Sequence, residues 1–405
     1  MSRPSSFTSN SDPHEGGGGS RQACWRLAGW AIICLIALDV AANFAFAYPS
    51  DPRALSPGRL ALYFDYGRSM EGRLRRATRA DPEKTAPITL SGWYRPLVAV
   101  TRPKKPNDTR VHIYGMSHAV RLADALQSTS PTLSVRSIAA PGATANWAFG
   151  AFRRDRGRRE GDVAVLALMS STLPMVTTMS PMTWNISFAM PYTSDRYRLR
   201  NGTLTVTRPP YDSFSGYVAA LNDSSRWVEA KKVIAANDPF YDRWLFDETF
   251  LDSSSLVRLT RRAWAQKRDR QRRALSLNEA GFVAESEAVQ LANAIVIAFA
   301  RQAKCEHVLP VIYIVNNQGY GDHLFRALEP ALRREQIPFL NSASIIDPND
   351  GSSYLPDTHF TYQADRLLAI EVDRIVNKQM QSQARKSRAL GYSDRVACTT
   401  QLDTP

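Results

Sequence analysis

The apolar positions of the chain fall into short continuous runs separated by helical patterns, and this alternation predicts an α/β fold. The runs VAVLALM at Val163–Met169 and VLPVIYIV at Val308–Val315 are typical of parallel strands buried on both faces. With three weaker strands they predict a three-layer α/β/α sandwich around a central parallel sheet of about five strands. The weaker strands begin at Val111, Leu133 and Ile337, and later helices are predicted at Ala284–Arg301, Asp322–Arg334 and Tyr362–Gln379.

The most apolar segment lies near the N-terminus and predicts a membrane helix. Leu27–Tyr48 is as long as the roughly 20 residues that cross a bilayer, and its one charged residue is Asp39. Two arginines precede it, so the positive-inside rule leaves residues 1–26 in the cytoplasm as a disordered tail. We expect a single-pass anchor in the inner membrane and a periplasmic or extracytoplasmic main domain. The alternative is a cleaved signal peptide, because Ala45-Phe46-Ala47 has the form of a cleavage site.

Beyond the anchor, composition divides the chain into a connector, one α/β domain and a tail. The connector covers residues 49–107, the domain residues 108–380 and the C-terminal tail residues 381–405. An insertion at about 179–277 interrupts the domain, and within it Tyr197–Thr207 alternates across Asn201-Gly202 as a type I′ hairpin does. We expect the aromatic residues of the insertion to form its core, with a sugar-binding groove as the alternative. These residues are Trp184, Tyr192, Tyr211, Phe214, Phe240, Tyr241 and Trp244.

Charge, cysteine and histidine content limit the classes of partner, disulfide and metal site to expect. Basic runs at Arg153–Arg159 and Arg261–Arg273 contribute to a net charge of +13. An exported protein rarely meets nucleic acid, so we expect a solvated helix face or attraction to acidic polysaccharide or anionic lipid head groups. Cys305 and Cys398 lie in the exported part, where an oxidising compartment would allow them to pair. A disulfide between them and a pair of free thiols remain equal alternatives. The histidines are scattered and no zinc spacing occurs, so we expect no metal and no other cofactor.

Three residues with the chemistry of acyl transfer stand beside strand ends and helix starts. Ser117 follows the first strand of the domain, at the sheet edge where α/β proteins place their sites. Asp357 and His359 precede the last helix, so one short loop carries both. A Ser, a His and an Asp are the parts of an acyl-transfer site. The alternatives are that Ser117 and Asp357 cap helices, or that Asp322-His323 is the acid–histidine pair, although its place at a helix start favours an N-cap.

These motifs resemble those of the SGNH, or GDSL-like, hydrolase superfamily. The resemblance rests on the serine after the first strand, a glycine after the second, an apolar third strand and the closing block DTHFTYQADRLLA at Asp357–Ala369. It covers about residues 108–178 and 285–378 and implies a flavodoxin-like arrangement. It also implies a triad with Ser117 as nucleophile, His359 as base and Asp357 as its orienting carboxylate. The family's Gly-Asp-Ser is here Gly115-Met116-Ser117.

The resemblance implies an oxyanion hole as well. The backbone N–H groups of Ser117 and Gly142 would donate to the oxyanion. The family's asparagine after the third strand has no counterpart here, where the chain reads Leu-Met-Ser-Ser. The missing donor would then come from Asn146, Ser170 or Ser171, and loss of one such donor commonly lowers the rate on the order of 100- to 1000-fold.

Three functions follow as hypotheses. The first is an exported, membrane-anchored serine esterase or O-acyltransferase that removes or adds O-acyl groups, in the simplest case acetyl, on an extracellular polysaccharide or envelope glycan. The second is a membrane-associated lipase or esterase. The third is a non-catalytic relative that binds glycan or assists polysaccharide export, which the altered Gly-Asp-Ser and the missing asparagine favour. Proteins of polysaccharide biosynthesis or export are the expected partners.

Overall fold

The computed structural model of the protein describes residues 18–54, 58–102, 109–185, 187 and 189–390. Its first element is helix α1 (Gly18–Ala45), within which Ala23–Ala45 is long and apolar enough to cross a membrane. The most apolar stretch of that segment is not buried against the rest of the protein. Helix α1 therefore has the length, composition and exposure expected of the anchor.

The connector is folded and contributes to the core of the domain. Trp93 and Tyr94 are almost completely buried. Trp93 stacks on Tyr217 of the insertion, and Tyr94 stacks on Trp147 of the α/β domain. The connector thus holds the insertion and the domain together. Its regular elements are α2 (Arg59–Asp65), α3 (Met70–Ala77) and β1 (Val100–Thr101).

The first half of the α/β domain alternates strands and helices as the hydrophobic pattern predicts. In the strand Val163–Met169, every residue is buried except Met169 at its end, which agrees with a continuous apolar run in the middle of a sheet. The elements are β2 (Thr109–Gly115), α4 (Ser117–Thr129), β3 (Leu133–Ala139), α5 (Ala145–Arg154) and β4 (Val163–Met169).

The insertion follows β4 and begins with the hairpin that the sequence predicts. Asn201 and Gly202 form its turn with φ values of 50° and 77°, and a type I′ turn requires positive φ at both positions. The prediction of this hairpin is confirmed. The described elements of the insertion are β5 (Arg196–Arg200), β6 (Thr203–Thr207), α6 (Phe214–Leu221), α7 (Ser224–Asn237), α8 (Arg243–Phe246), α9 (Ser255–Arg273), β7 (Leu277–Asn278) and β8 (Gly281–Phe282).

The second half of the domain returns to the α/β alternation. The helix predicted from Ala284 begins at Glu287, because the Ser286 hydroxyl caps it by accepting a hydrogen bond from the Val289 N–H. The last strand is only three residues long, because a 3₁₀ turn follows it directly. The elements are α10 (Glu287–Cys305), β9 (Leu309–Val315), α11 (His323–Arg334), β10 (Phe339–Asn341) and α12 (Tyr362–Leu390).

Among the described residues, six strands form one sheet in the order β1-β3-β2-β4-β9-β10. The five strands from β3 to β10 are parallel, whereas β1 pairs antiparallel with β3 through Val100 and Thr101. The α/β class is confirmed, but the sheet is mixed and not wholly parallel. The expectation of about five parallel strands missed β1, because two residues are too few to produce a periodic pattern.

Two groups of helices pack on the sheet. Helix α4 contacts β2, β3 and α12, while α5 contacts β2, β4 and α10, and α10 and α11 contact β9. The loops after the parallel strands lie together at the carboxyl edge of the sheet, which is where α/β proteins bind ligands. Cys305 ends α10, and Cys398 lies outside the described residues, so their pairing stays a prediction.

Candidate active site

Ser117 stands where β2 ends and α4 begins. A β-carbon at Gly115 would lie 2.7 Å from Cβ of Ala167 in β4, so only glycine allows the two strands to approach this closely. Met116 occupies the N-cap position of α4, and Ser117 is the first helical residue. Ser117 is therefore not the N-cap of α4, and its half-buried side chain lies at the carboxyl edge of the sheet.

His359 contacts Ser117 in the fold, although it lies 242 positions later in the sequence. Its Nε2 lies 2.6 Å from Oγ of Ser117, and its Nδ1 lies 3.0 Å from Oδ2 of Asp357. The backbone N–H of His359 also donates to Oδ1 of Asp357 at 3.2 Å. Both side-chain distances are within the hydrogen-bond reach that a nucleophile, its base and an orienting carboxylate need. The structure thus brings the three sequence-predicted residues into contact.

The carboxylate of Asp357 is ionised and largely exposed. Hydrogen bonds from the side chain and the backbone of His359 lower the pKa of Asp357. An ionised carboxylate accepts the Nδ1 proton of His359, which leaves Nε2 as an acceptor for the hydroxyl proton of Ser117. The Asp357 side chain is 65% exposed, against 25% for His359, so water screens its charge. Its effect is therefore mainly to orient the imidazole.

The loop that carries the acid and the base is a tight, internally bonded turn. Thr358, between Asp357 and His359, has a φ of +70°, which is unfavourable for a β-branched residue. The N–H of Leu355 donates to the carbonyl of His359 at 2.7 Å, and the N–H of Thr358 donates to the carbonyl of Leu355 at 2.8 Å. These bonds hold the strained residue and fix the direction of the imidazole.

Arg121 joins the helix of the nucleophile to the loop of the base. On α4, it donates to the backbone carbonyl of Phe360 at 2.7 Å and to Oδ2 of Asp365 in α12 at 2.8 Å. Burial raises the pKa of Asp365 to about 6, and the nearby guanidinium partly offsets this rise. Sequence reasoning missed Arg121 and Asp365, because nothing in the local pattern distinguishes them from other charged residues on helices.

His118 packs directly behind the base. Its side chain is buried, and its ring centroid lies 4.8 Å from that of His359 and 5.2 Å from that of Phe360. Burial lowers the pKa of His118 to about 3. The His118 imidazole is therefore neutral, and its ring packs against that of His359.

The turn after β3 brings Gly142 to the level of the nucleophile. Ala139 pairs with Gly115 in the sheet, and the N–H of Ala140 donates to the carbonyl of Gly115 at 3.0 Å. Gly142 has a φ of +60°. No described residue accepts a hydrogen bond from its N–H, and the N–H of Ser117 has no acceptor within its helix because it lies in the first turn. Both predicted oxyanion donors are thus available.

The three side chains considered as further donors have different surroundings. The buried amide of Asn146 is directed to the carbonyls of Thr178 and Asp195 and to a serine hydroxyl, at 2.9–3.0 Å. The hydroxyl of Ser170 lies 3.1–3.2 Å from acceptors at the end of β9. Both side chains therefore support the packing of the insertion and the sheet. Ser171 is half-buried, and its backbone N–H and carbonyl are both hydrogen bonded.

Two asparagines at the end of β9 form a polar network at the same edge. Asn317 accepts a hydrogen bond from the N–H of Ser171 at 3.0 Å. The amide of Asn316 donates to Asn341 at 2.7 Å, and the carbonyl of Asn316 accepts from the Tyr354 hydroxyl at 3.3 Å. The two asparagines thus follow β9, the strand that pairs with β4 in the sheet. The pair Asn316-Asn317 after an apolar run was a visible signal that sequence reasoning did not use.

Other candidates prove less central. His323 contacts Arg326, and Asp322 pairs with the same arginine at 2.7 Å, so this acid–histidine pair is engaged on α11. Of the seven predicted aromatic residues of the insertion, Tyr192, Tyr211 and Phe240 are buried, whereas Trp244 is exposed. Trp184 differs, because a β-carbon at position 142 would lie 3.7 Å from its ring and 3.9 Å from Met190. These two side chains border the predicted oxyanion hole.

The arrangement has the parts for covalent catalysis at a carbonyl: a hydroxyl hydrogen bonded to an imidazole, a carboxylate behind it and two backbone N–H groups nearby. No protein-family model, curated protein or solved structure matches this chain.

Proposed function

We propose that this protein is an exported, membrane-anchored serine esterase or O-acyltransferase that acts on O-acyl groups, in the simplest case acetyl, of an extracellular polysaccharide or envelope glycan. The observation that carries the proposal is the contact of 2.6 Å between Oγ of Ser117 and Nε2 of His359, with Asp357 at 3.0 Å on the other side of the ring. A hydroxyl that only caps a helix has no need of this relay.

The proposal includes membership of the SGNH, or GDSL-like, superfamily and a flavodoxin-like, three-layer arrangement. Numbered along the chain, the five parallel strands follow the order 2-1-3-4-5, which is the flavodoxin-like order. The two groups of helices would then cover the two faces of the sheet. Ser117 follows the first of these strands, Gly142 follows the second, and Asp357 and His359 precede the last helix. The sequence resemblance places its motifs in the same order.

In the proposed reaction, Ser117 attacks the ester carbonyl while His359 takes its proton. The tetrahedral oxyanion accepts hydrogen bonds from the N–H groups of Ser117 and Gly142, and the imidazolium returns the proton to the departing alcohol. The acyl-enzyme then reacts with water in hydrolysis, or with a sugar hydroxyl in transfer, and His359 repeats its two proton transfers. The Ser117 hydroxyl is regenerated in both cases.

A basic cavity supports an acidic glycan as the substrate class. It has a volume of about 660 Å³ and lies beyond the C-terminal end of α5, about 15 Å along that helix from the Gly142 turn, so only a polymer could reach both the cavity and Ser117. Its lining includes Tyr94, one carboxylate, Asp212, and five arginines. An excess of guanidinium groups suits carboxylate or phosphate groups on a sugar chain. The arginines are Arg95, Arg153, Arg154, Arg156 and Arg208.

The nucleophile can be tested with a serine-directed fluorophosphonate on the full chain in detergent. Oγ of Ser117 should attack the phosphorus and displace fluoride, and mass spectrometry should locate the adduct on Ser117. We expect the adduct to disappear in Ser117→Ala and to form at least on the order of 100-fold more slowly in His359→Ala, since general-base catalysis contributes about that much.

Two control variants remove the same chemical groups, a serine hydroxyl and an imidazole, from positions outside the proposed triad. Ser128→Ala removes another hydroxyl from α4, and His323→Ala removes the histidine of the competing pair. Both variants should label at the wild-type rate. Labelling that depends on His323 and not on His359 would overturn the proposed triad. Hydrolysis of short acetyl esters and O-acetylated polysaccharide, with long-chain esters left intact, would then separate the glycan enzyme from a lipase.

A non-catalytic glycan-binding role is the second candidate. The observation that favours it is the absence of an asparagine after β4, where Ser170 is engaged with β9 instead. A folded protein that takes up no fluorophosphonate yet retains O-acetylated polysaccharide in a pull-down would establish this role in place of the enzyme.

A further inference from the structure

Asp39, the one acidic residue in the apolar segment of α1, makes a specific contact with the exported domain. Oδ1 of Asp39 accepts a hydrogen bond from the Ser254 hydroxyl at 3.1 Å and from the Leu256 backbone N–H at 2.8 Å. Ser254 is the N-cap of α9, and Leu256 lies in its first turn. The carboxylate of the anchor therefore meets the N-terminus of a domain helix.

This contact satisfies a group that is otherwise unfavourable in a membrane. An ionised carboxylate within a membrane helix is costly unless it pairs with other groups, and the N-terminus of a helix carries partial positive charge and free N–H groups. Ring stacking extends the contact along the same side of the anchor, because Phe46 lies 5.2 Å from Phe64 of α2. The rest of the protein thus contacts the anchor at two places, at Asp39 within α1 and at Phe46 just after its end.

The position of Asp39 sets the depth of this contact. Asp39 is six residues before Ala45, where the apolar segment ends, and six helical residues span about 9 Å. The 23-residue segment is about 34 Å long, slightly more than a hydrocarbon core of about 30 Å. If α1 spans the bilayer, as proposed above, the first turn of α9 then lies within the outer boundary of the membrane.

The side chains around this contact are those that suit a lipid boundary. Phe250 is 86% exposed, and its 3₁₀ turn, Phe250–Ser253, directly precedes the Ser254 cap. On α2, beside the end of the anchor, Leu60 is 56% exposed and Tyr63 is 44% exposed. Arg262 of α9 lies over the Tyr63 ring and donates to its carbonyl, as a basic residue does at a head-group level.

We propose that Leu60, Tyr63 and Phe250 form a docking face that contacts the phospholipids of the bilayer crossed by α1, and that Asp39 holds the domain at that depth. This inference rests on α1 being a retained membrane anchor and is independent of the chemistry at Ser117. The partner is the lipid surface itself, because the docking face continues directly from the anchor.

The docking face can be tested on the full chain, reconstituted in vesicles of phosphatidylethanolamine and phosphatidylglycerol. A cysteine-free background carries one nitroxide, at Phe250→Cys or, as the control, at Leu199→Cys. Leu199 is also apolar and exposed, but it lies on the β5–β6 hairpin. The spin label at position 250 should collide more with oxygen than with a water-soluble nickel chelate, and the label at position 199 should show the reverse. Equal preference for the nickel chelate at both positions would overturn the docking face.

Asp39 is tested in the same vesicles. Asp39→Leu keeps the anchor apolar but removes both hydrogen bonds to α9, so the label at position 250 should become accessible to the nickel chelate. Asp39→Asn keeps an acceptor and should retain more of the wild-type protection. Unchanged protection in Asp39→Leu, or an N-terminus after Ala47 in the mature membrane protein, would overturn the role of Asp39. Fluorophosphonate labelling of each variant reports separately on the fold and on the proposed nucleophile.

Discussion

A buried histidine beside the candidate base makes the stability of the folded protein depend on pH. His118 is neutral because burial lowers its pKa to about 3. In the unfolded chain its pKa returns to the ordinary value of 6.5. As the pH falls below that value, the unfolded state binds a proton that the folded state does not. His118 therefore removes stability as the pH falls from its unfolded toward its folded pKa.

We predict that His118→Phe makes the protein more resistant to acid. Phenylalanine keeps a flat ring against His359 but cannot bind a proton. Between neutral pH and mild acid, the free energy of unfolding of the wild type should fall relative to that of the variant by about 1.4 kcal/mol per pH unit below the unfolded pKa. Urea denaturation in detergent at several pH values measures this difference. Parallel loss of stability in the two proteins would mean that His118 is protonated in the folded state.

A second prediction concerns the backbone of Gly142. Gly142→Ala has room for the methyl group but places an L-residue at a φ of +60°, which costs about 1–2 kcal/mol. We expect slower fluorophosphonate labelling of Ser117, because relaxation of the turn moves an oxyanion donor. Gly161→Ala is the matched control, since Gly161 also has positive φ and open space but lies in the turn before β4. It should lose similar stability and keep the labelling rate. Equal labelling of both variants would argue against a Gly142 donor.

Individual site residues differ in how far the sequence reveals them. Ser117, Asp357 and His359 each lie in a local motif, a strand end or the start of a helix, so their placement follows from short-range patterns. Asn317 and Arg121 act through contacts with residues more than a hundred positions away. No local periodicity records such contacts, and only the folded chain reveals them.

At the scale of elements, α4 and the loop before α12 behave as one unit. Arg121 contacts both the Phe360 carbonyl and Asp365, so it connects the nucleophile to the base through the backbone of the loop. A planar guanidinium makes both contacts at once, whereas an ammonium group serves as a single point charge.

We predict that Arg121→Ala slows fluorophosphonate labelling of Ser117 by roughly 10- to 100-fold, because a displacement of about 1 Å between reacting groups has that effect. Arg121→Lys should recover only part of the loss. Arg374→Ala, which breaks an exposed ion pair on α12, should label normally. The result that contradicts this prediction is full activity in Arg121→Ala at unchanged stability.

The elements themselves were predictable to the extent that they are long and periodic. Strands β2, β3, β4 and β9 and the helices between them follow from the hydrophobic pattern, because a buried strand needs a continuous apolar run. The short strand β1 and the fold of the connector do not follow from the hydrophobic pattern, since their stability comes from tertiary contacts such as Trp93 on Tyr217. The contact of Asp39 with α9 was also missed, because its partners lie more than two hundred residues away.

At the scale of the whole molecule, the positive charge is uneven. Parts of the predicted basic runs are neutralised, as in the pairs Arg154–Asp195 and Arg158–Glu306. Arg156 and Arg95 are exposed at the basic cavity, and Arg95 pairs with Asp212. The proposed acidic polymer would find an excess of positive charge in this concave site.

We predict that Arg95→Gln with Arg156→Gln raises KM for an acidic O-acetylated polysaccharide on the order of tenfold, since each exposed ion pair contributes about 0.2–1 kcal/mol. Hydrolysis of p-nitrophenyl acetate should not change. The control removes the same charge from two helices away from the cavity, Arg226→Gln with Arg333→Gln, and should leave KM unaltered. The effect should weaken at high salt. A KM that is equal in both double variants would locate the polymer elsewhere.

Helix α9 sets a geometric limit on where the proposed reaction takes place. Its first turn contacts Asp39 of the anchor, and Arg273 in its last turn donates to the Ser171 carbonyl at the carboxyl edge of the sheet. Nineteen helical residues span about 28 Å, so the two contacts are separated by about the length of this helix and the reach of the Arg273 side chain. Under the proposed docking, Ser117 reaches only polymer that passes close to the membrane. Acyl groups would then be added or removed as a chain emerges during secretion, and the finished outer layer would keep the pattern set at that moment.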